Sequence, residues 1–116
     1  MGIGLGGGVA VIEREATIVN PLGMHARPAA EFVKVANRFR AAVEVRKDAL
    51  TVNGKSIMGV MMLAAECGSS LFLKTDGDDA QEAMEALLAL VADGFHEMHL
   101  TGDDAGASDE TEEGVA

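Results

Sequence analysis

The chain has no Trp, no Tyr and four Phe among its 116 residues. Its interior must therefore be built from Val, Leu, Ile, Ala and Met, which with the other apolar residues make up 48% of the sequence. Its single cysteine, Cys67, has no partner for an internal disulfide and belongs to no CxxC pair, so neither a disulfide framework nor a cysteine-based metal site is expected. No apolar run approaches the roughly 20 residues that span a bilayer. The opening "MGIGLGGGVAV" carries neither the positive charge nor the cleavage site of a secretory signal. A cytoplasmic protein without metal or cofactor, and with no membrane contact, is the expectation.

Bases are also few, nine against 19 acids for a net charge of −10, and they are unevenly placed. Six acids (Asp103, Asp104, Asp109, Glu110, Glu112 and Glu113) and no base fall in residues 101–116, leaving a body charge of −4. Within that body, Arg27 to Lys55 holds seven bases against Glu31, Glu44 and Asp48, a local charge of +4. Such a field attracts an acidic protein or a phosphate. It is too poor in aromatics and total charge for a nucleic-acid surface.

The length fits one domain. Residues 1–9 are glycine-rich and read as a flexible start, residues 101–116 as a disordered acidic tail, and 10–100 as the folded unit. "VAVIEREATIV" favours a strand by its β-branched content, ended by Asn20-Pro21 and Gly23. From Ala26 the spacing of Ala29, Phe32, Val33, Ala36 and Phe39 predicts a helix. "AAVEVRK" and "ALTVNGK", joined at Lys47-Asp48, predict a hairpin. Ser56 opens a short helix whose inward positions, by spacing, are Ile57, Val60, Met61 and Ala64. "SLFLKT" is a strand, and "DGDD" leads into a last helix with Ala80, Ala83, Met84, Leu87, Leu88 and Val91 inward, stopped by Gly94. The order β-α-β-β-α-β-α predicts an α+β fold, an open-faced β-sandwich whose four-stranded antiparallel sheet carries three helices on one face.

Chemistry is concentrated in "NPLGMHARPAAEF". With His25 as the helix cap, Ala26, Arg27 and Pro28 occupy the first turn, where a proline loses no intrahelical hydrogen bond. The free amides of Ala26 and Arg27 and the partial positive charge of the helix end make an anion site beside the ring. That field favours a neutral, nucleophilic imidazole. A phosphoryl group on the ring nitrogen nearest the backbone would meet these amides and the Arg27 guanidinium, and phosphoryl transfer requires mainly such positioning and charge stabilisation.

"LGMHARPAAEFV" resembles the active-site segment of HPr, the histidine-containing phosphocarrier family of the bacterial phosphoenolpyruvate-dependent phosphotransferase system. "NGKSIMGVMML" resembles that family's regulatory serine region, with Ser56 lying 31 residues beyond His25. The resemblance covers about residues 10–98. It implies that His25 is the phosphoacceptor, becoming a pros-phosphohistidine, charged by enzyme I and discharged to an enzyme II A-type domain. It further implies that Arg27 stabilises the phosphoryl group and that Ser56 is phosphorylated by an HPr kinase/phosphorylase. Lys55, Ile57, Met58 and Met61 would belong to the partner-docking surface. The protein would be a monomeric carrier in sugar transport and carbon regulation, not an enzyme that turns over a small molecule.

Within the family the alternative to sugar uptake is a regulatory or nitrogen-related branch, and "LVADGFHE" is similar to members outside the best-known sugar-uptake carriers. An alternative of another class is a non-phosphorylated adaptor binding a regulator through the Ile57–Met61 patch. A small-molecule-binding regulatory domain is a further alternative. Met58, Met61 and Met62 cannot all face inward on one short helix, and exposed methionines suit adaptable binding surfaces. Three signals are set aside. The GxGxxG at Gly2, Gly4 and Gly7 follows no strand and opens no helix. "HEMH" at 96–99 is one residue short of the HExxH zinc motif and reads as surface residues at a chain end. No GxSxG-like elbow supports a nucleophile triad.

Overall fold

The computed structural model describes residues 10–97. The expectations of a flexible start at residues 1–9 and an acidic tail at 101–116 lie outside them. Strand β1 (Ala10–Thr17) is followed by helix α1 (Ala26–Ala36), the hairpin β2 (Ala42–Lys47) and β3 (Leu50–Asn53), helix α2 (Ile57–Met62), strand β4 (Ser70–Gly77) and helix α3 (Ala80–Ala92). A short 3-10 turn, Gly94–His96, comes last.

The four strands form one antiparallel sheet in the order β1-β4-β2-β3. This is the predicted α+β architecture. The two-residue period of the strands sorts their side chains between faces. Val43, Val45, Leu71, Leu73 and Thr75 are buried under the helices, while Glu13, Lys74 and Glu44 lie in one cross-strand row and Glu15, Phe72 and Arg46 in the next. On that open face the Arg46 guanidinium covers the Phe72 ring, 4.5 Å from its centroid, a cation–π contact that shields an exposed aromatic.

Helix α1 buries Pro28, Ala29, Phe32, Val33, Val35 and Ala36. Phe32, with Phe95 the largest fully buried side chain among the described residues, lies in the core with Ile18, Val45, Leu71, Leu73, Met84 and Leu87. The helix ends at Ala36, so Phe39, which follows the helical spacing in sequence, lies beyond it and is half-buried. In α3 the expected inward set holds except for Leu88, which is half-buried, while Leu90 is buried. "AMEALLALVA" is apolar almost all round, so spacing alone did not define a single stripe.

Helix α2 departs most from expectation. Of Ile57, Val60, Met61 and Ala64 only Val60 is buried. Ala64 lies past the helix end with φ 48°, and Ile57 and Met61 are 43% and 38% exposed. A six-residue helix has fewer than two turns, so it can seat one residue deeply but cannot present a full stripe.

The loops are pinned by backbone contacts. Asp79 is the N-cap of α3, its carbonyl accepting from Ala83 N–H, but its side chain makes no cap hydrogen bond; its carboxylate instead accepts from the amides of Arg40 (2.9 Å) and Ala41 (2.8 Å). The Arg40 amide above all holds the Asp79 carboxyl below its ordinary value. Gly54 approaches Val43 so closely that a Cβ would sit 2.4 Å from Val43 Cγ1, and its amide donates to Val43 O.

Candidate functional site

The segment between β1 and α1 is braced before it delivers His25. Gly23 N–H donates to Asn20 O at 3.0 Å, and the Asn20 side-chain amide donates back to Gly23 O at 2.8 Å, closing a compact turn. Gly23 has φ 71°, and a Cβ there would stand 2.5 Å from Ala65 O. Only glycine meets both conditions without strain. The adjacent Met24 N–H donates to that same Ala65 oxygen at 2.8 Å, tying the loop to the segment after α2.

His25 then caps α1 in an extended conformation (φ −86°, ψ −168°), and its side chain makes no cap hydrogen bond. Its carbonyl accepts the first helical bond, from Ala29. The amides of Ala26 and Arg27 are first-turn donors with no backbone acceptor among the described residues, and Pro28 has no amide to offer. Arg27 is exposed, and 38% of the His25 side chain is accessible. An anion approaching from solvent can therefore reach the ring and the helix end together. The expectation from sequence required this access.

The other ring nitrogen is engaged. His25 Nε2 lies 3.2 Å from the Glu97 carboxylate, whose side chain is 7% exposed, and Asn20 Nδ2 donates to Glu97 Oε1 at 3.1 Å. Asn20 is fully buried, and both of its amide hydrogens are aimed at acceptors.

Ser56 caps α2, its hydroxyl accepting from Gly59 N–H at 3.1 Å, and it is half-buried. Lys55 donates through Nζ to Phe39 O at 2.7 Å, so this cation links the start of α2 to the chain leaving α1. Leu22, Met58 and Met62 are exposed by 78%, 71% and 65%.

The family model described as the PTS HPr component phosphorylation site matches residues 12–93. The chain belongs to the HPr phosphocarrier family. The HPr of Cupriavidus necator is 51% identical over 87 residues, covering 75% of this chain and 98% of that protein. An HPr from Thermoanaerobacter tengcongensis, solved by crystallography, superposes with a TM-score of 0.72 at 44% identity, covering 74% of this chain and 97% of that one. The catabolite-repression protein Crh of Bacillus subtilis, solved as an intertwined, domain-swapped dimer, has a TM-score of 0.59 at 49% identity, covering 64% and 85% respectively. HPr proteins are phosphocarriers rather than catalysts of small-molecule turnover.

The fold brings His25 to the helix start beside the Ala26 and Arg27 amides and puts Ser56 at the next helix start. Ile57, Met58 and Met61 all lie exposed on α2. One residue of the site was misread. Within "HEMH", His96 is 66% exposed, as a surface residue would be, but Glu97 is buried against Asn20 and His25. The signal for it in sequence was slight, an acid two residues after a phenylalanine that follows the helix-stopping Gly94. His99 lies outside the described residues, and no cluster of three or more metal-ligating side chains occurs among those described.

Proposed function

We propose that this protein accepts a phosphoryl group on His25 Nδ1 from phosphorylated enzyme I and passes it to an enzyme II A-type domain. The observation that carries this reading is an accessible imidazole at a helix start, without a cap bond, next to two first-turn amides that have no partner among the described residues. In the accepting step the Nδ1 lone pair attacks phosphorus as the bond to the donor breaks. The Ala26 and Arg27 amides and the Arg27 guanidinium offset the charge on the phosphoryl oxygens, and the next acceptor reverses the sequence. No cofactor enters either step.

The test is incubation with enzyme I and phosphoenolpyruvate. One acid-labile phosphate per chain, with the phosphorus resonance of pros-phosphohistidine, is expected. No uptake under conditions that charge another HPr would overturn the proposal.

Ser56 is the proposed second phosphorylation site, for an HPr kinase/phosphorylase. A dianionic phosphate there would stand beside Lys55 and the docking surface, reducing the attraction for acidic partners. The proposed docking residues are Lys55, Ile57, Met58 and Met61, the working state is a monomer, and the proposed location is the cytoplasm. No described helix is long and apolar enough to cross a membrane.

The exposure of Ile57, Met58, Met61 and Met62 also favours a second reading, an adaptor that binds a regulator without phosphate. Met58→Asp should weaken docking to enzyme I by about tenfold or more, the scale of an interface hot spot. Because Met58 is 71% exposed, stability should change by no more than about 0.5 kcal/mol. Titration calorimetry and thermal melts measure the two quantities. Partner binding that is lost in Met58→Asp but indifferent to His25→Ala would favour the adaptor.

A further inference from the structure

We infer that Glu97 is a positioning residue for phosphoryl transfer, holding His25 by its Nε2–H so that Nδ1 presents its lone pair to phosphorus. This inference rests on His25 being the phosphoacceptor and adds a residue 72 positions away in sequence.

Geometry assigns the direction of the contact. A carboxylate only accepts hydrogen bonds, so a ring nitrogen 3.2 Å from both Glu97 oxygens faces it as a donor. A neutral imidazole with its proton on Nε2 has its lone pair on Nδ1, and the partner of one nitrogen sets the state of the other. The carboxylate itself is held. Asn20 Nδ2 donates to Oε1, and the same amide group donates to Gly23 O in the turn that delivers His25. Asn20 and Glu97 are both buried, so neither is a swinging surface side chain. Asn20 Oδ1 is buried without a hydrogen-bond partner among the described residues, an expense that the two donated bonds offset.

The chain also distorts to make this contact. Phe95 and His96 both adopt left-handed backbone conformations, φ 57° and 65°, which are uncommon outside glycine. Glu97 N–H closes the turn on Gly94 O at 2.9 Å, and Phe95 is buried in the core. Backbone strain of this kind persists where the surroundings over-determine it, and functional sites are where it gathers.

The charge balance of the step fits the placement. When the Nδ1 lone pair forms the N–P bond and the donor leaves with its electron pair, the ring keeps Nε2–H and acquires a positive charge. Glu97 faces that charge through the hydrogen bond. In the onward step the N–P electron pair returns to Nδ1, and a cationic ring departs more readily than a neutral one would depart as an anion. The same carboxylate therefore serves acceptance and donation.

The experiment compares wild type, Glu97→Gln and Glu97→Ala by ring-nitrogen NMR of His25 and by the rate of phosphoryl acceptance from enzyme I and phosphoenolpyruvate. Wild type should show an Nε2–H signal protected from exchange with water. Glu97→Gln, which keeps shape and loses charge, should weaken that protection, and Glu97→Ala should abolish it. Transfer rates should fall by about 10- to 100-fold in Glu97→Ala, the scale on which partners of a functional histidine act, and less in Glu97→Gln. The final stoichiometry of one phosphate per chain should be retained. Unprotected Nε2–H in wild type, or variants that transfer within twofold of it, would overturn the inference. The NMR reading needs no phosphoryl donor, so failure of wild type to take up phosphate would count against the carrier reading and leave the Glu97 contact separately measured.

Discussion

The His25→Ala protein should take up no acid-labile phosphate from enzyme I and phosphoenolpyruvate, yet fold as the wild type does. The two halves of this result have separate causes. Losing the imidazole removes the proposed nucleophile outright, and neither amides nor Arg27 can form the N–P bond in its place. Stability depends little on the ring. It makes no cap hydrogen bond, and 38% of it is exposed. What folding loses is the contact with Glu97, whose Oε1 keeps its bond from Asn20. A net cost of about 1 kcal/mol is expected for one such hydrogen bond, since water can enter the vacated, half-open position. For a domain of this size that lowers the melting temperature by about 4–8 °C. His25→Gln should be equally inert toward phosphate. Stoichiometric uptake by either variant, read by phosphate release in acid, would sink the assignment of His25 and direct attention to His96, which is 66% exposed, or to His99.

The helix-start geometry around His25 was legible because it is local. Capping, a first-turn proline and unpaired amides are consequences of six consecutive residues, Gly23 to Pro28, and need no knowledge of the remaining chain. The sheet was legible for a related reason. Val43 and Val45 alternate with Glu44 and Arg46, and a strand of period two has one way to hide its apolar side. Helix α2 was harder, because spacing says which residues share a face but not how much of that face a neighbour covers. In a helix with fewer than two turns, Val60 alone reached the core. Glu97 was barely legible. Its role depends on two left-handed residues reversing the chain after α3, and neither Phe95 nor His96 advertises that conformation. In "HEMH" the zinc-like spacing belongs to the histidines, whereas the residue that packs against the site is the acid between them.

That reversal makes Phe95→Ala the substitution with the largest expected effect on stability. Phe95 is 1% exposed and belongs to the main core with Phe32, Met84, Leu87 and Val91. Replacing a buried phenylalanine by alanine costs about 3–5 kcal/mol through lost transfer energy and the cavity left behind. At the usual sensitivity of a domain this size, the melting temperature should fall by about 12 °C or more. A local consequence follows from the backbone. A left-handed residue other than glycine costs roughly 1–2 kcal/mol, and the buried ring is what holds Phe95 there. Alanine at 95 keeps the strain and loses the anchor, so the turn should relax and withdraw Glu97 from His25. Phe95→Leu retains much of the volume and should give a smaller drop in both readings. The pair separates anchoring from mere loss of bulk: thermal melts report the core, and the exchange of the His25 Nε2–H reports the turn. If Phe95→Ala melted within a few degrees of wild type, the ring would not be the anchor that its burial indicates. If it melted low but left the Nε2–H protected, the placement of Glu97 would owe its hold to Asn20 rather than to the core.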